Sequence, residues 1–163
     1  MIKLPLFYID ISKVRMNQLT IEVLDPIKLP LVTRLYKAHY PSGKAKSNEL
    51  TIVGYIEQSL SAVVRFRPIE EFRLLTGMLV IPQYREQGVG HQLMNYCQQH
   101  TLTSKDYCFA YSHLELFYQQ HGFTTIPAST LPNSLKLLYN RYSHSGKRLT
   151  PMHYSGALDD TES

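Results

Sequence analysis

No apolar run in this chain approaches the roughly 20 residues that a bilayer-spanning helix needs, so no membrane segment is expected. Residues 1–11 lack the series of basic flank, long apolar core and small-residue cleavage site, so no signal peptide is read there. Cysteine is scarce. Cys97 and Cys108 stand alone and no Cys-x-x-Cys occurs, which excludes a disulfide framework and makes a reduced, cytoplasmic setting the default. None of the seven histidines forms His-x-x-x-His or a close Cys/His set, so no metal is expected. No serine stands in Gly-x-Ser-x-Gly, which argues against a serine hydrolase.

Acidic residues are outnumbered, 13 against 17 lysines and arginines, for a net charge of +4. The bias is mild and suits an anionic cofactor or solubility. Lys44, Lys46, Arg65 and Arg67 are the densest cations, yet they are spread over a loop and a strand. A nucleic-acid binder clusters its cations more tightly, so no such partner is expected.

What is present is a chain of 163 residues, 44% apolar, long enough for one self-sufficient core. We expect a single domain over 1–156 and a frayed acidic tail over 157–163. Residues 4–11 and 19–24 read as opening strands. Asp25-Pro26 starts a helix whose apolar stripe, Leu29, Val32 and Tyr36 among it, ends before Pro41. Residues 41–48 form the clearest loop. Runs 50–57, 59–67 and 71–81 read as antiparallel strands, turning at Glu57-Gln58-Ser59 and Pro68-Ile69-Glu70. A helix follows from Gly88 to about Thr103, broken by Lys105-Asp106, then a strand over 107–111. Ser112 and Glu115 suggest a capping box on a short helix that ends at Gly122. A strand over 123–126, a helix from Pro132 to Gly146 and a strand over 149–154 complete the order. The class is mixed α/β (α+β).

The segment carrying chemistry begins at Met78-Leu79-Val80-Ile81-Pro82 and continues into Arg85-Glu86-Gln87-Gly88-Val89-Gly90. Glycines where a strand yields to a helix let a ligand reach the main chain. The helix start offers free N–H groups and partial positive charge, a natural seat for phosphate. Arg85 adds a cation that can fork onto phosphate oxygens. The same pattern also serves as a plain strand-to-helix joint.

Residues 79–93, Leu-Val-Ile-Pro-Gln-Tyr-Arg-Glu-Gln-Gly-Val-Gly-His-Gln-Leu, resemble the acetyl-CoA motif of the GNAT acetyltransferase superfamily, Arg/Gln-x-x-Gly-x-Gly/Ala after a strand. Phe117-Tyr118-x-x-x-Gly122-Phe123 is similar to the second signature of that family. The match runs over 72–126 and is topological elsewhere. The resemblance implies a GNAT-like acyl-CoA N-acyltransferase fold, a mixed, mostly antiparallel central sheet flanked by helices and split near the fourth and fifth strands. It implies that backbone groups at Met78, Leu79 and Val80 meet the pantetheine arm, and that one N–H there polarises the thioester carbonyl. The amides of Gln87, Gly88, Val89, Gly90 and His91, with Arg85 and the adjoining Glu86, are then the pyrophosphate grip. Acetyl-CoA is the implied acyl donor, a primary amine the implied acceptor, and a homodimer is common in the family.

Tyr118 matches the family position that protonates the leaving sulfur. A phenol with a pKa of about 10 keeps its proton at neutral pH and can give it to a thiolate. The alternative is that Tyr118 only packs with Phe117 and Phe123. Many family members carry a carboxylate within the fourth strand. Arg73-Leu74-Leu75-Thr76-Gly77 has none. Glu70, Glu71, His39 and His113 are candidate bases and equally ordinary surface residues, so the base is unassigned and water can serve. The expected function is acetyl-CoA-dependent N-acetyl transfer by direct attack on the thioester. A non-catalytic acyl-CoA-binding or sensing module and a protein-interaction scaffold are the alternatives. The acceptor, a small amine, amino acid, antibiotic, polyamine or protein amine, is open.

Overall fold

The computed structural model describes residues 18–156. The expected strand over 4–11 and the acidic tail over 157–163 lie outside them. Seven strands form one sheet among the described residues: β1 (Thr20–Val23), β2 (Leu50–Ile56), β3 (Ser59–Ile69), β4 (Phe72–Val80), β5 (Asp106–Tyr111), β6 (Phe123–Thr125) and β7 (Leu149–Tyr154). Their order is β1-β2-β3-β4-β5-β7-β6. Only β4 and β5 pair in parallel; the other neighbours are antiparallel. The helices are α1 (Leu29–His39), α2 (Val89–His100), α3 (Glu115–Gln119) and α4 (Asn133–His144).

Asp25 starts the first helical segment as expected, its Oδ1 accepting the Ile27 N–H at 3.1 Å ahead of a 3-10 turn and α1. Val32 and Tyr36, one turn apart on α1, are buried against Val53, Val63 and Leu79 on one face of the sheet. Helix α2 covers the other face with Val89, Leu93, Met94 and Cys97, packed on Ile52, Val64, Phe66 and Leu75. Leu135 and Leu138 of α4 close a third cluster around Leu74 and Tyr107.

Three local readings need correction. Pro68 does not turn the chain: β3 runs on through Ile69 and reverses at Glu70, whose φ is 56°. β2 pairs with β3 only as far as Phe66, so Pro68 lies where no donor is needed on that side. Helix α2 stops at His100, because Thr101 and Leu102 both donate back to the Cys97 carbonyl and Leu102 turns into the core. Asp106 opens β5 rather than a break. The Ser112–Glu115 capping box is absent. Ser112–Leu114 is a 3-10 turn, and the Glu115 carboxylate takes the Thr125 hydroxyl instead.

Candidate active site

The parallel pair β4–β5 is short, joining Arg73–Leu75 to residues 106–108. Its closed end is pinned by charge. Arg73 donates to both carboxylate oxygens of the fully buried Asp106 at 2.8 Å, and to the Thr101 carbonyl at 2.8 Å. Asp106 also accepts the Thr103 N–H at 2.8 Å. Past Leu75 the strands part. A bulge lies here: Arg65 and Val63 of β3 are two residues apart, whereas their partners Thr76 and Leu79 are three apart. Gly77 absorbs the extra residue with φ of 66°, and a Cβ on it would stand 2.4 Å from the Tyr36 hydroxyl. That hydroxyl donates to the Gly77 carbonyl at 2.6 Å and accepts from Arg65 Nε at 3.1 Å. Burial pushes the Tyr36 phenol up to about 12, so it remains a donor. The β5-facing edge of residues 76–80 is left without a ladder partner.

Beyond β4, Tyr84 and Arg85 donate to the carbonyls of Ile81 and Pro82, closing a 3-10 turn. Gly88 caps α2 in the left-handed region, φ 83°, with nothing within 4 Å of an added Cβ. The first main-chain bond of the new helix runs from the Gln92 N–H to the Gly88 carbonyl at 3.0 Å. Among the described residues, the N–H groups of Gln87, Gly88, Val89, Gly90 and His91 find no protein acceptor. Five orphan donors thus gather at the positive end of a 12-residue helix. Gly90 lets Phe117 and Val80 come close, 3.5 and 3.9 Å from its would-be Cβ.

Several other expected residues have definite places. Arg85 Nε donates to the Val80 carbonyl at 2.7 Å, so it braces the end of β4 as well as flanking the turn. Gln87 holds the Gln83 carbonyl at 2.9 Å, and Glu86 is exposed with φ of 62°. Leu79 and Val89 point into the core, which leaves only their backbone for a ligand. The His91 ring stacks near Phe117 and sits 2.8 Å from His121, which in turn sits 2.8 Å from Gln98. Burial, then the neighbouring His91, lowers His121 to about 4.

Tyr118 lies on α3, 4% exposed, with Phe117 and Phe123 edge-on at 5.1 and 5.8 Å. The packing role and the site role coexist, since the same residue lines a cavity of about 340 Å³ together with Leu75, Met78 and Cys108. This cavity occupies the gap between the parting strands. Burial first, and Cys108 beside it second, holds the Tyr118 phenol well above its ordinary range. It is therefore protonated and a donor at neutral pH. Burial also raises both cysteines, Cys97 to about 12, so neither is a thiolate nucleophile.

The cavity's other wall comes from the loop after α1 and the end of β3. Arg65 Nη1 lies 2.8 and 2.9 Å from the two oxygens of Glu49 and 2.9 Å from the Lys44 carbonyl. Glu49 Oε1 also takes the Lys46 N–H at 2.8 Å. Glu49 is the one carboxylate lining the cavity, and it is committed to that pair. Glu70, Glu71, His39 and His113 do not line it. Among the described residues no group of three or more His, Cys, Asp or Glu is arranged to hold a metal, and no helix is long and apolar enough to cross a membrane. The Arg65–Glu49 and Arg73–Asp106 pairs were not read from sequence. Their members are 16 and 33 residues apart with no motif between them.

With this geometry in hand, residues 47–125 match the family model described as the acetyltransferase (GNAT) domain. No curated protein matches the chain in sequence. Among solved structures, N-acetylglutamate synthase from Neisseria gonorrhoeae, complexed with coenzyme A and N-acetyl-glutamate, is 14% identical at TM-score 0.60, over 84% of this chain and 35% of that one. This chain thus spans about a third of that protein. Escherichia coli ElaA is 19% identical at TM-score 0.62, over 84% of this chain and 99% of that one. Arabidopsis thaliana Naa50, in complex with the bisubstrate analogue CoA-Ac-MVNAL, is 15% identical at TM-score 0.60, over 85% and 99%. At these identities the likeness is one of fold.

Proposed function

Because the chain carries a GNAT acetyltransferase domain, we propose that it moves the acetyl group of acetyl-CoA to a primary amine by direct attack on the thioester. The observation that carries this reading is the run of unpaired N–H groups from Gln87 to His91 beside an open strand edge. The first suits a pyrophosphate and the second suits the amide-bearing pantetheine arm. Gly88 and Gly90 keep the approach clear. Arg85 lies beside the grip and offers its Nη groups while Nε stays on Val80.

The acceptor ammonium first loses a proton to water, since an alkylammonium has a pKa of about 10.4 and its protonated form has no lone pair. The amine nitrogen adds to the thioester carbon, and charge builds on the carbonyl oxygen, where a main-chain N–H of residues 78–80 is the donor. The C–S bond breaks as the nitrogen sheds its second proton to solvent. Tyr118 gives its proton to the departing sulfur and regains one from water. A phenol held above its ordinary range is a weak acid, so its help is chiefly a hydrogen bond that strengthens as the thiolate forms.

Calorimetry with acetyl-CoA, followed by free-thiol release with a panel of amines, tests the proposal. Heat of binding and amine-dependent thiol release are expected. Binding with no release for any amine would reduce the protein to an acyl-CoA-binding module, and no binding would remove the reading altogether.

A further inference from the structure

The wall of the cavity opposite Tyr118 has an unbalanced charge. Lys44, Lys46, Arg67 and Lys147 line it, as does the Arg65–Glu49 pair. That pair is closed on itself: Glu49 has a side-chain exposure of 1% and both its oxygens face Arg65. The other four cations have no carboxylate partner, since Arg65–Glu49 and Arg73–Asp106 are the only ion pairs among the described residues. Arg67 is half-buried and steadied by one bond, Nη1 to the Tyr142 hydroxyl at 3.2 Å, which leaves most of its fork unused. Lys147 lies over the Tyr142 ring, its Nζ 5.4 Å from the centroid.

Resting on the acetyl-transfer reading, we infer that the acceptor is a small amine that carries its own anionic group, a carboxylate or a phosphate, docked on Arg67, Lys147, Lys44 and Lys46. Three considerations support this. An anion in the cavity meets a guanidinium with free donors, the geometry that recognises carboxylate and phosphate in forked fashion. A polyamine or a polycationic antibiotic meets like charge and no free carboxylate, a repulsive selection against the wrong partner. A volume of about 340 Å³ suits a metabolite-sized molecule rather than a length of peptide.

The same charge answers the missing base. A positive surround disfavours an ammonium and lowers its pKa, so the attacking amine is more often neutral with no carboxylate to deprotonate it. The anionic group anchors the molecule while the field frees its nitrogen.

The test uses matched probes on the full chain loaded with coenzyme A or supplied with acetyl-CoA. The probes are O-phosphoethanolamine against ethanolamine, glutamate against its diamide, spermidine, and a short acidic peptide. Calorimetry on the coenzyme A complex and thiol release are both read. Expected is binding and turnover of the anionic small amines, with Arg67→Met raising KM about tenfold or more, the weight of one charged contact, while acetyl-CoA affinity is unchanged. Lys147→Met should give a smaller rise, since a second, more exposed cation is lost without touching the Tyr142 bond network. Preference for spermidine, for the uncharged partners or for the peptide overturns the inference while leaving acetyl transfer intact. Acetyl-CoA that fails to bind overturns the underlying reading instead. Binding of the anionic probes that is indifferent to both substitutions also overturns the inference.

Discussion

His91 Nδ1 faces His121 Nε2 at 2.8 Å, and His121 Nδ1 faces Gln98 Oε1 at 2.8 Å, so the three side chains form one chain of hydrogen bonds under the phosphate turn. The amide oxygen can only accept. His121 therefore carries its proton on Nδ1, accepts at Nε2, and His91 donates from Nδ1. The middle ring must stay neutral, in line with its drop to about 4.

This arrangement gives stability a defined acid limb. In the unfolded chain His121 takes a proton near 6.5; in the folded protein it does so only near 4. Between those values the unfolded state binds more protons, so its contribution is whole above 6.5, falls as the pH drops, and is gone below 4. Melting temperature should decline across that window. His121→Gln, which stays uncharged, should flatten the decline. An unchanged slope in the variant would assign the acid limb to other groups.

Gly88→Glu should weaken coenzyme A binding by more than tenfold, about 1.4 kcal/mol or above. Two effects add. A side chain at φ of 83° costs backbone energy of order 1 kcal/mol, and a carboxylate repels the phosphates that the free N–H groups attract. Gly88→Ala separates them, since an added Cβ touches nothing and only the backbone cost remains. Equal calorimetric affinities for the Gly88→Glu variant and the parent protein would refute the phosphate assignment.

Tyr118→Phe should lower kcat by about 10²-fold or more with little change in acetyl-CoA affinity, because the ring and its contacts with Phe117 and Phe123 are kept while the donor is lost. Stopped-assay turnover beside binding heats checks it. Undiminished turnover would make Tyr118 a packing residue alone.

Arg73→Met should destabilise the fold by about 3–5 kcal/mol, the usual consequence of stranding one member of a buried ion pair. Asp106 is wholly buried and would keep only the Thr103 N–H as a partner. The double variant Arg73→Met with Asp106→Leu should recover part of the loss. Denaturant midpoints compare the three. A single variant as stable as the parent would show that the pair does not clamp β4 to β5.

Gly77→Ala should cost stability and loosen α1 as well. Its Cβ would fall 2.4 Å from the Tyr36 hydroxyl and 2.8 Å from Arg65 Nε, on a backbone with φ of 66°. Hydrogen exchange should quicken in α1 and at residues 76–80 together. Loss of protection confined to β4 would mean that the Tyr36 bond does not tie the helix to the bulge.

Much of this protein was legible because its signals are local. Val32 and Tyr36 declare one helix face by spacing alone, and the glycines at 88 and 90 with the apolar run before them mark a strand-to-helix turn. Tyr118, read either as acid or as packing, turned out to have neighbours that suit both. The misses were of two kinds. Pro68 and the Ser112–Glu115 pair gave local signals that the fold overrode, the first by lying where β3 has no β2 neighbour, the second because Glu115 found Thr125 ten residues on. Arg65 with Glu49, Arg73 with Asp106, and His91 with His121 were invisible for another reason: their partners are distant in the chain and carry no motif, and only the sheet order brings them together.

The cationic wall also bears on what happens after bond formation. Acetylation turns an ammonium into a neutral amide, so the product is one unit more negative than the molecule that entered. The field that draws the substrate inward then holds the product back more firmly, and holds it longest in dilute buffer, where screening is least. Exit rather than chemistry becomes the slow event, and accumulated product throttles the enzyme unless something downstream removes it.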